Sequence, residues 1–154
     1  EDQLLRLMDR LHPRNEPGRL ALIHRFGAAR IAGCLPPLIE AVQRDGRSVL
    51  WICDPMHGNT RTSANGFKTR SFEEIRGELE QAFTIHAAHG SRLGGVHIEM
   101  TGEDVTECTG GARGLAESDL PRAYETMVDP RLNHEQSLEI AFLAAAKMRQ
   151  LRGA

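Results

Sequence analysis

Ser48-Val49-Leu50-Trp51-Ile52-Cys53-Asp54-Pro55-Met56-His57-Gly58-Asn59 is the stretch on which the fold turns. Its first six residues have the length and the apolar, aromatic character of a strand. Asp54-Pro55 stops the run and opens a polar loop that carries a histidine. Two further runs flank it. Leu20-Ala21-Leu22-Ile23 is wholly apolar, as in a buried parallel strand, and runs into His24-Arg25. Gly95-Val96-His97-Ile98-Glu99 is the third strand and ends on a carboxylate.

Helical stretches separate these strands. Asp2 to Leu11 places Leu4, Leu5, Met8 and Leu11 at helical spacing, and the Pro- and Gly-containing segment 12–18 breaks it. Ala29 to Val42 reads as a helix in two pieces, with Pro36 and Pro37 in the first turn of the second and Gly46 beyond its end. Ser71 and Glu74 have the spacing of a capping box, which predicts a helix to about His89. A long Gly- and Thr-rich loop follows the third strand. Asn133 and Gln136 then begin a last helix, with Leu138, Ala141, Phe142 and Ala145 on its expected inner face.

The order strand, helix, strand, helix, strand, helix implies an α/β architecture with parallel strands. Three strands do not close a barrel, for which about 250 residues are typical. The units therefore form a small open sheet or one arc of something larger.

With 154 residues, 40% of them hydrophobic and 26% charged, the chain has the composition of an ordinary globular protein and one domain's worth of length. A formal charge of −2 argues against a general nucleic-acid or membrane-surface role. No apolar run approaches the roughly 20 residues that span a bilayer. The first residues, Glu1-Asp2-Gln3-Leu4-Leu5-Arg6, carry neither a basic leader nor an apolar signal core. Cys34, Cys53 and Cys108 are sparse and odd in number, which suits a reducing cytoplasm, with small buried hydrophobes as the simplest reading of Cys34 and Cys108.

The strand ends carry the chemistry. In parallel α/β sheets the carboxyl ends of the strands form the active face. Arg25, His57 and Glu99 would then meet in one region, and Asp129, in the loop before the last helix, could fold back over it. Imidazole and carboxylate ligands suit Mn2+, Co2+, Fe2+ or Zn2+, and three protein ligands leave room for a substrate oxygen. Taken singly, His57 reads as a hydrogen-bonded loop histidine, and Glu99 and Asp129 as solvated carboxylates. Arg25 either clamps a phosphate or carboxylate or pairs with Asp54 or Glu99. Gly58-Asn59-Thr60 and Gly66-Phe67-Lys68-Thr69-Arg70 offer donors and charge for a phosphate, or simply a solvated basic loop. His86, His89 and His134 fall on helices as surface or packing residues. His97, two before Glu99, lies beside the metal ligands or in the core.

These motifs, together with Pro17-Gly18-Arg19-Leu20, Met100-Thr101-Gly102-Glu103, Val105-Thr106-Glu107-Cys108 and Tyr124-Glu125-Thr126 through Asn133, run in an order that resembles the class II 3-deoxy-D-arabino-heptulosonate 7-phosphate (DAHP) synthases. The resemblance covers nearly the whole chain. It implies strands six to eight of a TIM (β/α)8 barrel, so that residues 1–154 form a single partial domain, the C-terminal part of the enzyme. It implies condensation of phosphoenolpyruvate with erythrose 4-phosphate, the first step of the shikimate pathway and of aromatic amino-acid biosynthesis. His57, Glu99 and Asp129 match three of the family's four metal-ligand positions, with Mn2+ or Co2+ expected first and Fe2+ or Zn2+ next. Arg25 matches the position that binds the phosphoenolpyruvate phosphate, and Lys68 and Arg70 are further candidates for substrate binding. The family's cysteine ligand belongs to an earlier strand, so neither Cys53 nor Cys108 replaces it.

The expected partner is the N-terminal portion of the same enzyme, without which the chain should be inactive, and the complete enzyme is expected to be a cytoplasmic homo-oligomer. Two other readings stand beside this one. The chain could be a non-catalytic stand-alone remnant serving as a binding or regulatory module, or a self-contained metal-dependent lyase or hydrolase that completes its sheet by oligomerising.

Overall fold

A computed structural model describes residues 1–152. Helix α1 (Asp2–Leu11) leads to strand β1 (Ala21–His24), helix α2 (Ile31–Arg44) and strand β2 (Leu50–Cys53). A short hairpin, β3 (Thr60–Thr62) and β4 (Lys68–Arg70), precedes helix α3 (Phe72–Ala88). Strand β5 (Leu93–Val96) and a long loop then lead to helix α4 (His134–Arg152). Strands β1, β2 and β5 form a parallel sheet in chain order, confirming the α/β reading.

The sheet has one covered face. Leu22 pairs with Trp51, and His24 with Cys53, and this side packs on α2 and α3. Ile31, Leu35, Ile39 and Val42 of α2 meet Ile75, Leu79, Ala82 and Phe83 of α3 in the core, with Leu93 from β5. The opposite face carries Ala21, Ile23 and Leu50, all exposed. Strands β1 and β2 carry apolar side chains on both faces, yet only one face is covered, which makes this sheet unlike a finished parallel sheet.

Several elements differ from their expected form. Helix α2 is one piece, with Pro36 and Pro37 inside it. It starts at Ile31 rather than Ala29, with the N–H of Ile31 donating to the Gly27 carbonyl, and runs unbroken so that the prolines fall in its second turn. The 4-4-3 spacing of Ile31, Leu35, Ile39 and Val42, all buried, keeps the helix running past the two missing N–H groups. Strand β5 begins two residues before Gly95 and stops at Val96 rather than Glu99. A register shift opposite Trp51 and Ile52 and the burial of Leu93 draw it backwards.

Ser71 caps α3 by position but makes no capping hydrogen bond to the helix backbone. The Phe72 N–H donates instead to the Thr109 carbonyl. The box at α4 does form: Asn133 Oδ1 accepts from the Gln136 N–H at 3.0 Å and Gln136 Oε1 from the Asn133 N–H at 3.3 Å. The face of α4 is rotated from expectation. Gln136 and Ile140 are buried, whereas Leu138, Ala141, Phe142 and Ala145 point outwards.

Candidate metal centre at the strand ends

All three strands of the sheet deliver their C-terminal ends to one edge. Arg25 follows β1 directly, His57 lies four residues beyond β2, and Glu99 three beyond β5. Asp129 comes from the loop before α4. The structure brings the three candidate ligands together: one ligand atom from each of His57, Glu99 and Asp129 lies within 4.8 Å of the others. His57 Nε2 is 3.5 Å from Glu99 Oε1 and 3.6 Å from Asp129 Oδ2. All three residues are half-buried, so the pocket remains open to solvent.

Asp54 sets the histidine. Its Oδ2 accepts from His57 Nδ1 at 2.7 Å, and its Oδ1 accepts the N–H groups of Met56 and His57. With Nδ1 used as a donor, Nε2 carries the free lone pair and faces the two carboxylates. Fixing a ring through its other nitrogen is the usual way an imidazole is prepared as a ligand. Arg25 Nε lies 3.3 Å from the same Asp54 oxygen. Asp54 is fully buried while the arginine side chain stays half-exposed, so Arg25 is anchored at one end and open at the other.

Glu99 and Asp129 are held by cations from the β3–β4 hairpin. Arg70 Nη1 pairs with Glu99 and donates to the Pro130 carbonyl, and Arg70 Nε donates to Thr60 Oγ1 at 2.8 Å. Lys68 Nζ pairs with Asp129. The hydrogen bond from Lys68, with Arg70 and His57 nearby, holds the Asp129 carboxyl below its usual range. Lys68 is half-exposed, whereas the Arg70 side chain has no exposed surface. The hairpin itself is absent from the expected elements. Its signal is Asn65-Gly66 between short Thr- and Arg-containing runs, with Gly66 at a φ of 87°.

The loop that carries Asp129 has its own anchor. Glu107 is buried, and its carboxylate accepts the Thr126 and Arg131 N–H groups at 2.9 and 2.7 Å. Arg131 also donates through Nε at 3.0 Å and Nη2 at 2.6 Å, a two-pronged pair. Burial pushes the Glu107 carboxyl up, but the hydrogen bonds from Arg131 outweigh it and leave the carboxyl below its ordinary value. Glu107 lies within a quoted motif, yet sequence reasoning gives it no role, because its partners are 18 to 24 residues away.

Gly58 and Asn59 have a structural role at the strand ends. A Cβ on Gly58 would sit 2.3 Å from the Gly27 nitrogen, so only glycine permits this approach of the first two strand-end loops. Asn59 is buried and bonds Pro55, Ala28 and Glu78. Glu78, from α3, also accepts the N–H groups of Phe26 and Gly27. His97 stands beside the pocket, its ring centroid 6.3 Å from that of His57. His86 is fully buried, His89 pairs with Glu40 at 3.2 Å and His134 is exposed. All three cysteines are free. No helix among the described residues is long and apolar enough to cross a membrane.

Residues 1–145 match the model of the Class-II DAHP synthetase family. A phospho-2-dehydro-3-deoxyheptonate aldolase AroG of Mycolicibacterium smegmatis is 54% identical over 142 residues, 92% of this chain and 31% of the relative. Phospho-2-dehydro-3-deoxyheptonate aldolases of Streptomyces coelicolor and Neurospora crassa are 48% and 49% identical over 96% and 97% of the chain. The chain spans about a third of the length of these curated relatives (33% and 31% for the latter two).

Proposed function

The chain belongs to the class-II DAHP synthetase family, and from that premise we propose that it supplies the last three strand–helix units of a (β/α)8 barrel. The complete barrel condenses phosphoenolpyruvate with erythrose 4-phosphate to give DAHP and inorganic phosphate in the cytoplasm. Strands in chain order without reversal, helices on one face and an uncovered apolar face on the other support the barrel arc. The observation that carries the functional reading is the convergence of His57, Glu99 and Asp129, one ligand atom from each within 4.8 Å.

Their donor set, one imidazole nitrogen and two carboxylates, fits Mn2+ or Co2+, with Fe2+ and Zn2+ as alternatives. A divalent ion bound there supplies Lewis-acid polarisation of the aldehyde oxygen. The remaining roles fall to side chains of this chain. Arg25 holds the phosphoenolpyruvate phosphate with its exposed guanidinium end, while Asp54 keeps it aligned with His57. Lys68 meets a substrate phosphate at the pocket's rim. Arg70, expected to share that task, is assigned to aligning Glu99, because its guanidinium has no exposed surface and its Nη1 and Nε are engaged by Glu99, Pro130 and Thr60. In the reaction C3 of phosphoenolpyruvate bonds to the aldehyde carbon, water adds at C2, and C–O cleavage releases phosphate. The complete barrel is proposed to act as a homo-oligomer.

The test is reconstitution. The 154-residue chain is coexpressed with the remaining N-terminal portion of the Mycolicibacterium smegmatis relative, loaded with Mn2+ and assayed for phosphate release. Turnover is expected from the pair and none from the chain alone. His57→Ala should lose both turnover and bound Mn2+. Turnover by the isolated chain, or full Mn2+ occupancy in His57→Ala, refutes the reading.

A further inference from the structure

On the helix side of the sheet lies a second group of ligating side chains. His24 closes β1 and Cys53 closes β2, and the two are register partners whose side chains share one face. Glu78 approaches from α3. One ligand atom of each lies within 4.8 Å of the others, and all three residues are buried. His24 is 5% exposed, and neither of its ring nitrogens has a hydrogen-bond partner among the described residues. A buried nitrogen left without a partner is uncommon and costs stability, so its surroundings call for an explanation. A second such nitrogen, His86 Nε2, belongs to a ring whose centroid is 5.7 Å from that of His24.

Glu78 has capacity to spare. A carboxylate offers about four acceptor positions. Oε1 takes the N–H groups of Phe26 and Gly27, and Oε2 takes Asn59 Nδ2 at 2.8 Å. One position on Oε2 remains. Burial, with His86 nearby, lowers the His24 pKa to about 4 and keeps the imidazole neutral, while burial, with Glu78 and Asp54 nearby, pushes the Cys53 thiol up, so that it stays protonated until an ion displaces the proton.

We propose that His24, Cys53 and Glu78 form a buried structural site for a Zn2+-class cation, separate from the pocket at the strand ends. A thiolate and a carboxylate together cancel the ion's two positive charges, as an interior of low dielectric requires. Sulfur with nitrogen and oxygen favours Zn2+ or Co2+ over Mg2+ or Ca2+. Binding breaks the Cys53 S–H bond, the proton leaves to solvent and no electron is transferred. The ion would tie the ends of two neighbouring strands to the helix that covers them. Because the ligands are buried, loading accompanies folding.

The sulfur separates this site from the other pocket, to which the chain contributes no thiol. The full chain is refolded under reducing conditions with two equivalents of Co2+, enough for both pockets, and the thiolate-to-cobalt charge-transfer absorption is recorded. One such chromophore per chain is expected. His24→Phe removes a ligand without removing a hydrogen bond and keeps an aromatic ring against Phe26 and Trp51. It should abolish the band while leaving the far-ultraviolet circular dichroism unchanged, and Cys53→Ala should do the same. His57→Ala should retain the band. Absence of the band in the parent chain, or its survival in His24→Phe, overturns the proposal.

Discussion

Glu107 shows how a residue outside the pocket governs it. Its carboxylate takes the N–H groups of Glu125, Thr126 and Arg131 and the Arg131 guanidinium from the segment that carries Asp129, so the loop's position depends on one buried charge. Glu107→Gln keeps the shape but replaces an acceptor facing Arg131 with a donor. A mismatched buried hydrogen bond of this kind costs about 2 kcal/mol. Denaturant titration should register that loss. Because the loop delivers the proposed ligand Asp129, Mn2+ affinity of the reconstituted enzyme should also fall roughly 10- to 100-fold. An unchanged affinity would mean that the loop holds itself. The same carboxylate predicts a pH dependence. Its folded pKa lies below the ordinary 4.5. Its contribution is therefore complete above that value and is lost as pH falls through 4.5 towards the folded pKa. Melting temperatures measured across this range should drop less steeply in Glu107→Gln than in the parent chain.

At the scale of elements, α2 is longer than its local sequence favours. It contains Pro36, Pro37 and Gly33, and one buried face overrides all three. Gly33 is exposed, and a Cβ there would meet nothing within 4 Å. Gly33→Ala should then stabilise the chain by about 0.5–1 kcal/mol, read as a higher melting temperature, since it restricts only the unfolded chain. A decrease would show that the glycine relieves the two prolines. The three main strands are legible in the sequence because apolar runs bounded by turn residues admit few other readings. Arg25, His57 and Glu99 are legible as a cluster because strand polarity alone puts them at one edge. The β5 register is not legible: the Gly94-Gly95 pair fits a shifted ladder as well as a straight one. The outward turn of Leu138 and Phe142 is hidden for a different reason. Periodicity finds that a helix has an apolar face but cannot say which neighbour covers it.

A second uncovered apolar face, on the sheet, matters for the whole molecule. Ala21, Ile23 and Leu50 line the side of the sheet opposite α2 and α3, with Ile23 44% and Leu50 47% exposed. Leaving such groups in water forfeits about 1.5–3 kcal/mol per large side chain relative to burial. Among the described residues the outer edges of β1 and β5 also carry no strand partner. Both features are accounted for if the face lines the interior of a barrel that further strands complete. The two environments give opposite outcomes for a charge at Ile23. In the chain as it stands, Ile23→Lys places an ammonium group at a water-exposed site and should change the melting temperature by no more than a surface substitution does, within about 0.5 kcal/mol. Inside a closed barrel the same ammonium is unpaired and dry, which costs several kcal/mol. Coexpression with the N-terminal portion should then yield no stable complex and no phosphate release, although the variant chain itself folds. An active complex from Ile23→Lys would show that this face stays open to solvent in the complete enzyme, and the barrel arc would have to be given up for an open sheet.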